Sequence, residues 1–133
     1  MKKNLILTCL FVCVSFLLSA QSASILFENS SGRSLTVKVM KEGSYSDSKV
    51  AEIKIAPYGR YKQYILYTGD YYLKTKGELY GKKAVCKKGD PFEVYNGHDG
   101  YSEITITYSI TENESFNPLD GDVISEEEFD RDY

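Results

Sequence analysis

Twelve tyrosines and no tryptophan occur in this chain of 133 residues, and six of the tyrosines fall between Tyr58 and Tyr72. A tyrosine ring is flat and apolar with a polar tip, which suits both sugar stacking and protein contact surfaces. Tyr61, Tyr64, Tyr67, Tyr71 and Tyr72 are therefore the candidate ligand-binding residues. β-Propensity alone also draws tyrosine into strands. The lack of tryptophan favours a protein surface over a carbohydrate platform.

Other residues capable of chemistry are few. His98 is the single histidine and sits in a Gly/Asp-rich turn, with no second histidine for a metal cluster, and no G-x-S-x-G nucleophile elbow occurs. Cys86, flanked by Val85 and Lys87, is a thiol that neighbouring lysines could activate, but a free cysteine in a strand is more often buried and inert. Lys82, Lys83, Lys87 and Lys88 form the only basic cluster, without the breadth of a nucleic-acid footprint. A solvated strand edge that discourages pairing accounts for them. No catalytic residue and no cofactor is assigned.

Near the C-terminus, Asp120, Asp122 and Glu128 resemble in spacing the second half of an EF-hand calcium loop. A glycine is missing after Asp122, and Asn117-Pro118 stands where the incoming helix should end, so these three are weak metal candidates. The same stretch has a second reading, in which Ser125 is a helix N-cap with Glu128 three residues on and acids fill the first turn. That predicts a short terminal helix.

The elements that position these residues are strands. Ser34–Met40 alternates, with Leu35, Val37 and Val39 on one side and Thr36, Lys38 and Met40 on the other, so Val37 is expected in the core and Lys38 in solvent. Ile104 and Ile106 repeat the pattern as further core residues. Strands are expected near 24–30, 34–41, 49–55, 60–67, 70–76, 83–87, 91–95 and 101–111, separated by Gly, Pro and Asn turns. Gly69-Asp70 predicts a two-residue hairpin loop pairing the fourth and fifth strands. Glu42–Ser48 is expected to be a mobile loop or a crossover between sheets. The fold class that follows is an all-β, immunoglobulin-like antiparallel sandwich of about seven or eight strands, with a small closed barrel as the alternative.

Residues 1–20 read as a secretory signal peptide: Lys2 and Lys3, then the apolar run Leu5–Leu18, then small residues ahead of a cut before Gln21, with a cut after Ser22 as runner-up. Fourteen apolar residues fall short of the roughly 20 that span a bilayer, and neither Cys9 nor Cys13 is placed for lipid attachment. The expected product is exported, periplasmic or extracellular, and not membrane-spanning. Cys86 then has no intrachain disulfide partner. Charge divides the remainder: residues 21–111 carry net +3, whereas 112–133 carry nine acids against Arg131, net −8. The first segment is read as one sandwich domain, the second as a solvated acidic tail.

Lys87-Lys88-Gly89-Asp90-Pro91-Phe92, the run Gly100–Tyr108 and the ending Ile124-Ser125-x-x-Glu128-Phe129 resemble small secreted uncharacterised β-sandwich proteins of Bacteroides-type bacteria. The resemblance implies export and a sandwich-like fold, and carries no activity. The functional expectation is a non-enzymatic binding module for a protein or glycan at the cell envelope, a protein being preferred, with no nucleic-acid role. A glycan- or calcium-binding module is the alternative, followed by a small exported hydrolase or enzyme inhibitor.

Overall fold

The computed structural model of the protein describes residues 22–110 and 122–133, and within them the chain is almost entirely β. The expected signal peptide and the candidate ligand Asp120 lie outside the described residues. The strands are β1 (Ala23–Asn29), β2 (Ser34–Lys41), β3 (Ser48–Ile55), β4 (Arg60–Ile65), β5 (Gly69–Glu78), β6 (Val85–Lys88), β7 (Phe92–Val94), β8 (Asn96–Gly97), β9 (Gly100–Tyr101), β10 (Glu103–Tyr108) and β11 (Asp122–Ile124). One short helix follows, α1 (Glu126–Asp130).

Two open sheets share one core. The small sheet has the order β10-β1-β4, with β1 parallel to β10 and antiparallel to β4. The large sheet runs β11-β6-β5-β2-β3, all antiparallel, and β7 joins the other end of the β5 edge that β6 occupies. Ala23, Ile25, Phe27 and Ile65 of the small sheet meet Leu35, Val37, Val39, Ile53, Ile55, Tyr71 and Leu73 of the large one, all buried. Ile104 and Ile106 pack against this core half-buried, because β10 is an edge strand. None of the sheets closes on itself, which removes the barrel alternative.

Alternation explains why these strands form where they do. The inward residues of β2 and β5 are apolar or small, and their burial drives the pairing. A register shift between Val39 and Met40 leaves Val50 as an extra residue on β3, a bulge of the kind that bends an edge strand. At one end of the sandwich the buried Asn29 amide donates to the carbonyls of Arg33 (2.8 Å) and Ala56 (3.1 Å), while its oxygen accepts from the Ser31 hydroxyl at 2.6 Å. The buried Arg33 guanidinium donates to the carbonyls of Gly77 and Lys83, both at 3.0 Å. Three loops are thereby tied to one polar knot whose buried groups find partners.

Two expectations and one alternative fail here. Gly69 and Asp70 are not a hairpin loop: they begin β5, and the chain crosses between sheets from β4, which pairs with β1 instead. Period-2 patterning marks a strand but does not name its neighbour. Glu42–Ser48 is no crossover, since Lys41 pairs with Ser48 and the segment closes a hairpin inside the large sheet. Lys38 is not in solvent. It is 5 % exposed, because the C-terminal segment lies on the outer face of the large sheet.

Candidate functional site

Along one flank of the sandwich, β4 of the small sheet and β3 of the large sheet lie side by side as edge strands. Each has a strand partner on one side only among the described residues. Between them opens a groove of about 290 Å³, lined by Val50, Ala51, Gln63, Tyr64, Leu66 and Tyr67 with Tyr71 beneath. The bulge on β3 brings Val50 to its rim. Tyr64, Leu66 and Tyr67 are 56, 70 and 68 % exposed, a cluster of large apolar side chains that the fold leaves in water.

The chain around them is held firmly. The Tyr71 hydroxyl donates to the Tyr67 carbonyl, and burial pushes the Tyr71 phenol above its ordinary pKa, so it stays a neutral donor. The Asn96 side-chain amide donates to the carbonyls of Ile65 and Leu66, at 3.4 and 3.0 Å, and Thr68 and Asn96 exchange two further bonds. The crossing segment from β4 to β5 is therefore clamped by the β7–β8 turn. Lys62 sits over the Tyr64 ring at 5.5 Å and Lys41 over Tyr67 at 5.4 Å, each a cation–π contact. A Cβ in place of the Gly69 hydrogen would lie 3.0 Å from Lys41 Cε, so the glycine leaves room for the lysine stem. The result is an aromatic strip with a basic margin.

Tyr58 stands at the lower end of this flank, 75 % exposed, in the turn closed by the 2.9 Å bond from Gly59 N–H to the Ala56 carbonyl. Its φ of +60° is the left-handed conformation that glycine normally supplies.

Of the five candidate tyrosines, Tyr61, Tyr64 and Tyr67 lie exposed along β4 and its exit; Tyr64 and Tyr67 line the groove with Tyr71 as its floor, and Tyr61 lies outside it. Tyr72 belongs elsewhere. It points to the outer face of the large sheet, 3 % exposed, where its hydroxyl donates to Asp47 Oδ2 at 2.7 Å and Lys88 lies 4.9 Å from its ring centre. Burial, then the bond to Asp47, pushes that phenol far above its ordinary pKa. Adjacent residues in a strand face opposite ways, so Tyr71 and Tyr72 could not both join one surface. Val50 and Leu66 were not singled out from sequence. The bulge and the edge position that expose them are properties of pairing.

The remaining candidates take structural places. Cys86 is a free, buried thiol whose pKa burial raises, the reverse of what a nucleophile requires. His98 is exposed in the β8–β9 turn, and its neighbour Asp99 accepts from the Tyr95 hydroxyl at 2.6 Å. Asp122 pairs with Lys88 on β11 and Glu128 lies in α1, so the two stand on a strand and a helix and not in one ligand loop. Among the described residues no group of three His, Cys, Asp or Glu side chains is arranged to hold a metal ion.

A second groove, of about 190 Å³, opens on the opposite flank between Ile106, Tyr108 and Ser109 of one sheet and Lys87 and Gly89 of the other. The described chain stops at Ile110 and resumes at Asp122 on its two rims, whereas the β3/β4 groove is lined wholly by described residues. Among the described residues no helix is long and apolar enough to cross a membrane. No protein-family model matches the chain, and no similar protein was found among curated sequences or solved structures.

Proposed function

We propose that the protein is an exported, non-enzymatic binding module with an immunoglobulin-like sandwich, and that it holds a protein partner at the β3/β4 flank. The carrying observation is Tyr64, Leu66 and Tyr67 standing exposed beside two strand edges that are unpaired among the described residues. Aromatic anchors of this kind contribute most of the energy in protein interfaces. An unpaired edge offers backbone donors and acceptors to an extended segment of the partner. Export rests on the character of residues 1–20, and the protein reading on exposed rings carried by a backbone segment that is already clamped, which lowers the ordering cost when a partner arrives.

Tyr64→Ser combined with Tyr67→Ser is the test. Both rings are largely in water, so the melting temperature should hold within the effect of about 0.5 kcal/mol usual for surface changes. A photo-crosslinker at position 66 should trap one envelope protein with the wild-type rings present and lose it with both removed. Equal trapping by both forms, or signal on a glycan array and none in the crosslink, overturns the reading.

A further inference from the structure

Two strand edges border the β3/β4 groove, and they are not equivalent. β3 carries the bulge at Val50, and a bulge breaks the even spacing of backbone groups that an added strand needs. β4 keeps an unbroken register with β1 from Arg60 to Ile65. The Asn29 N–H donates to the Gly59 carbonyl at 2.9 Å, and in an antiparallel pair every second residue bonds the same neighbour, so Tyr61 and Gln63 turn their backbone groups to β1. Lys62 and Tyr64 therefore direct theirs to the open side. The Tyr64 carbonyl accepts from the exposed Gln63 side-chain amide at 3.0 Å, a bond that an incoming N–H can replace.

Charge narrows the kind of strand that fits there. Lys62 and Lys41 border the exposed rings and Arg60 begins the edge, and among the described residues none of the three forms an ion pair. On the outer face of the large sheet the chain neutralises its lysines. There Lys38 donates to the Phe129 carbonyl and to Asp132 Oδ1, both at 2.9 Å, and Lys74 donates to the carbonyls of Glu128 (3.0 Å) and Arg131 (2.9 Å). Beside them β11 adds to the β6 edge with Asp122 opposite Lys88. An acidic strand on a lysine-bearing edge is thus a contact this chain already makes once. Basic residues on an open edge turn away a like-charged strand, a copy of the same edge included, and admit an acidic one. The groove of about 290 Å³ is below the roughly 300 Å³ at which pockets for whole small ligands begin, and it suits one large side chain of such a strand.

We propose that β4 receives an acidic, extended segment of the partner as an added strand. Its backbone bonds to Lys62 and Tyr64, one large apolar side chain sits between Tyr64 and Tyr67 over Tyr71, and carboxylates on either side meet Lys62 and Lys41. The inference rests on the protein-binding reading of this flank and adds the docking edge and the partner's chemistry.

Random peptides of about ten residues, the length of a long strand, displayed on phage and selected on the full-length protein, are the probe. The selected set should carry Asp or Glu on both sides of one Phe, Leu or Ile, and a synthetic copy should bind about tenfold more weakly at about 500 mM salt than at about 50 mM. Lys41→Glu combined with Lys62→Glu should select Lys or Arg instead. Lys62→Glu alone, at an exposed position, should lose most of the affinity for the acidic copy and serves if the double variant does not fold. Hydrogen exchange locates the strand: with the acidic peptide bound, the amides of Lys62 and Tyr64 should slow by about tenfold or more while those of β3 stay unchanged. Selected peptides without acidic bias, or acidic peptides that protect β3 or no strand edge, overturn the proposal. If a crosslinker at position 66 still traps an envelope protein in that case, only the acidic-strand inference falls; if it traps nothing, the protein-binding reading falls as well.

Discussion

The β3/β4 flank and the outer face of the large sheet both lie outside the shared core, yet the chain treats them differently. On the flank, Tyr64, Leu66 and Tyr67 remain in water beside edges that are unpaired among the described residues. On the face, Lys38 and Lys74 are 5 % and 2 % exposed under a segment made by the same chain. The residue types are the reverse of the usual expectation, with apolar rings outside and ammonium groups inside. A side chain's exposure is decided by what else the chain places over it, and in this protein that cover comes from the far end of the sequence.

The comparison can be broken most forcefully at Phe129. Phe129→Ala should cost on the order of 3 kcal/mol of docking, the scale for deleting a buried aromatic ring. Hydrogen exchange should speed up at residues 122–130 and leave β1, β2 and β5 protected, as expected for local release. Global unfolding at the same denaturant concentration would mean that the segment is integral to the core.

Next comes Lys38→Ala. It leaves the Phe129 carbonyl and Asp132 without their ammonium partner, and an abandoned buried polar group costs about 1–3 kcal/mol. Lys62→Ala, on the exposed side of β4, should shift the denaturant midpoint by less than about 0.5 kcal/mol. Equal effects at the two lysines would erase the distinction between face and flank.

Acid should separate the two regions as well. Hydrogen bonds from Lys38 and then Lys49 hold the Asp132 carboxyl below its ordinary value of 3.8. A depressed folded pKa stabilises docking above 3.8 and loses that contribution as pH falls through the lower folded value. Fluorine NMR with a labelled ring at position 129 should report release on going from about pH 5 to about pH 2, while a label at position 64 stays unchanged. Docking that persists at the acid end would show that the apolar and backbone contacts suffice.

A modest effect of the opposite sign is expected at the end of the flank. Tyr58→Gly relieves a positive φ and should stabilise the fold by up to about 1 kcal/mol, net of the freedom gained by the unfolded chain. A lower melting temperature would indicate that the exposed ring packs usefully despite its backbone.

The strands were legible in the sequence because their alternation is local: Leu35, Val37 and Val39 announce β2 by themselves. Pairing was not. That β4 sits beside β1, and that Gly69 opens β5 in place of closing a hairpin, depends on contacts between residues far apart in the chain. The crowding of tyrosines between Tyr58 and Tyr72 was legible, whereas the exposure of Tyr61, Tyr64 and Tyr67 and the burial of Tyr72, which strand parity turns away from Tyr71, depend on pairing. The tail was legible as a capped helix and misread in its environment: counted along the sequence its charge suggests solvation, but the lysines that neutralise it come from β2, β3 and β5. The Ser125 cap is local and could be seen; the docking is not.

β1 occupies the centre of the small sheet, with Ser24 beside Glu103 on one side and Tyr64 on the other. The first strand of the described residues thus acquires its parallel neighbour only when nearly eighty further residues have been made. Closing so long a loop before its contacts form is slow, and sheets built this way fold late and as a whole. Until β10 arrives, one backbone edge of β1 has no strand partner, and an unpaired edge is what exposes a growing chain to aggregation.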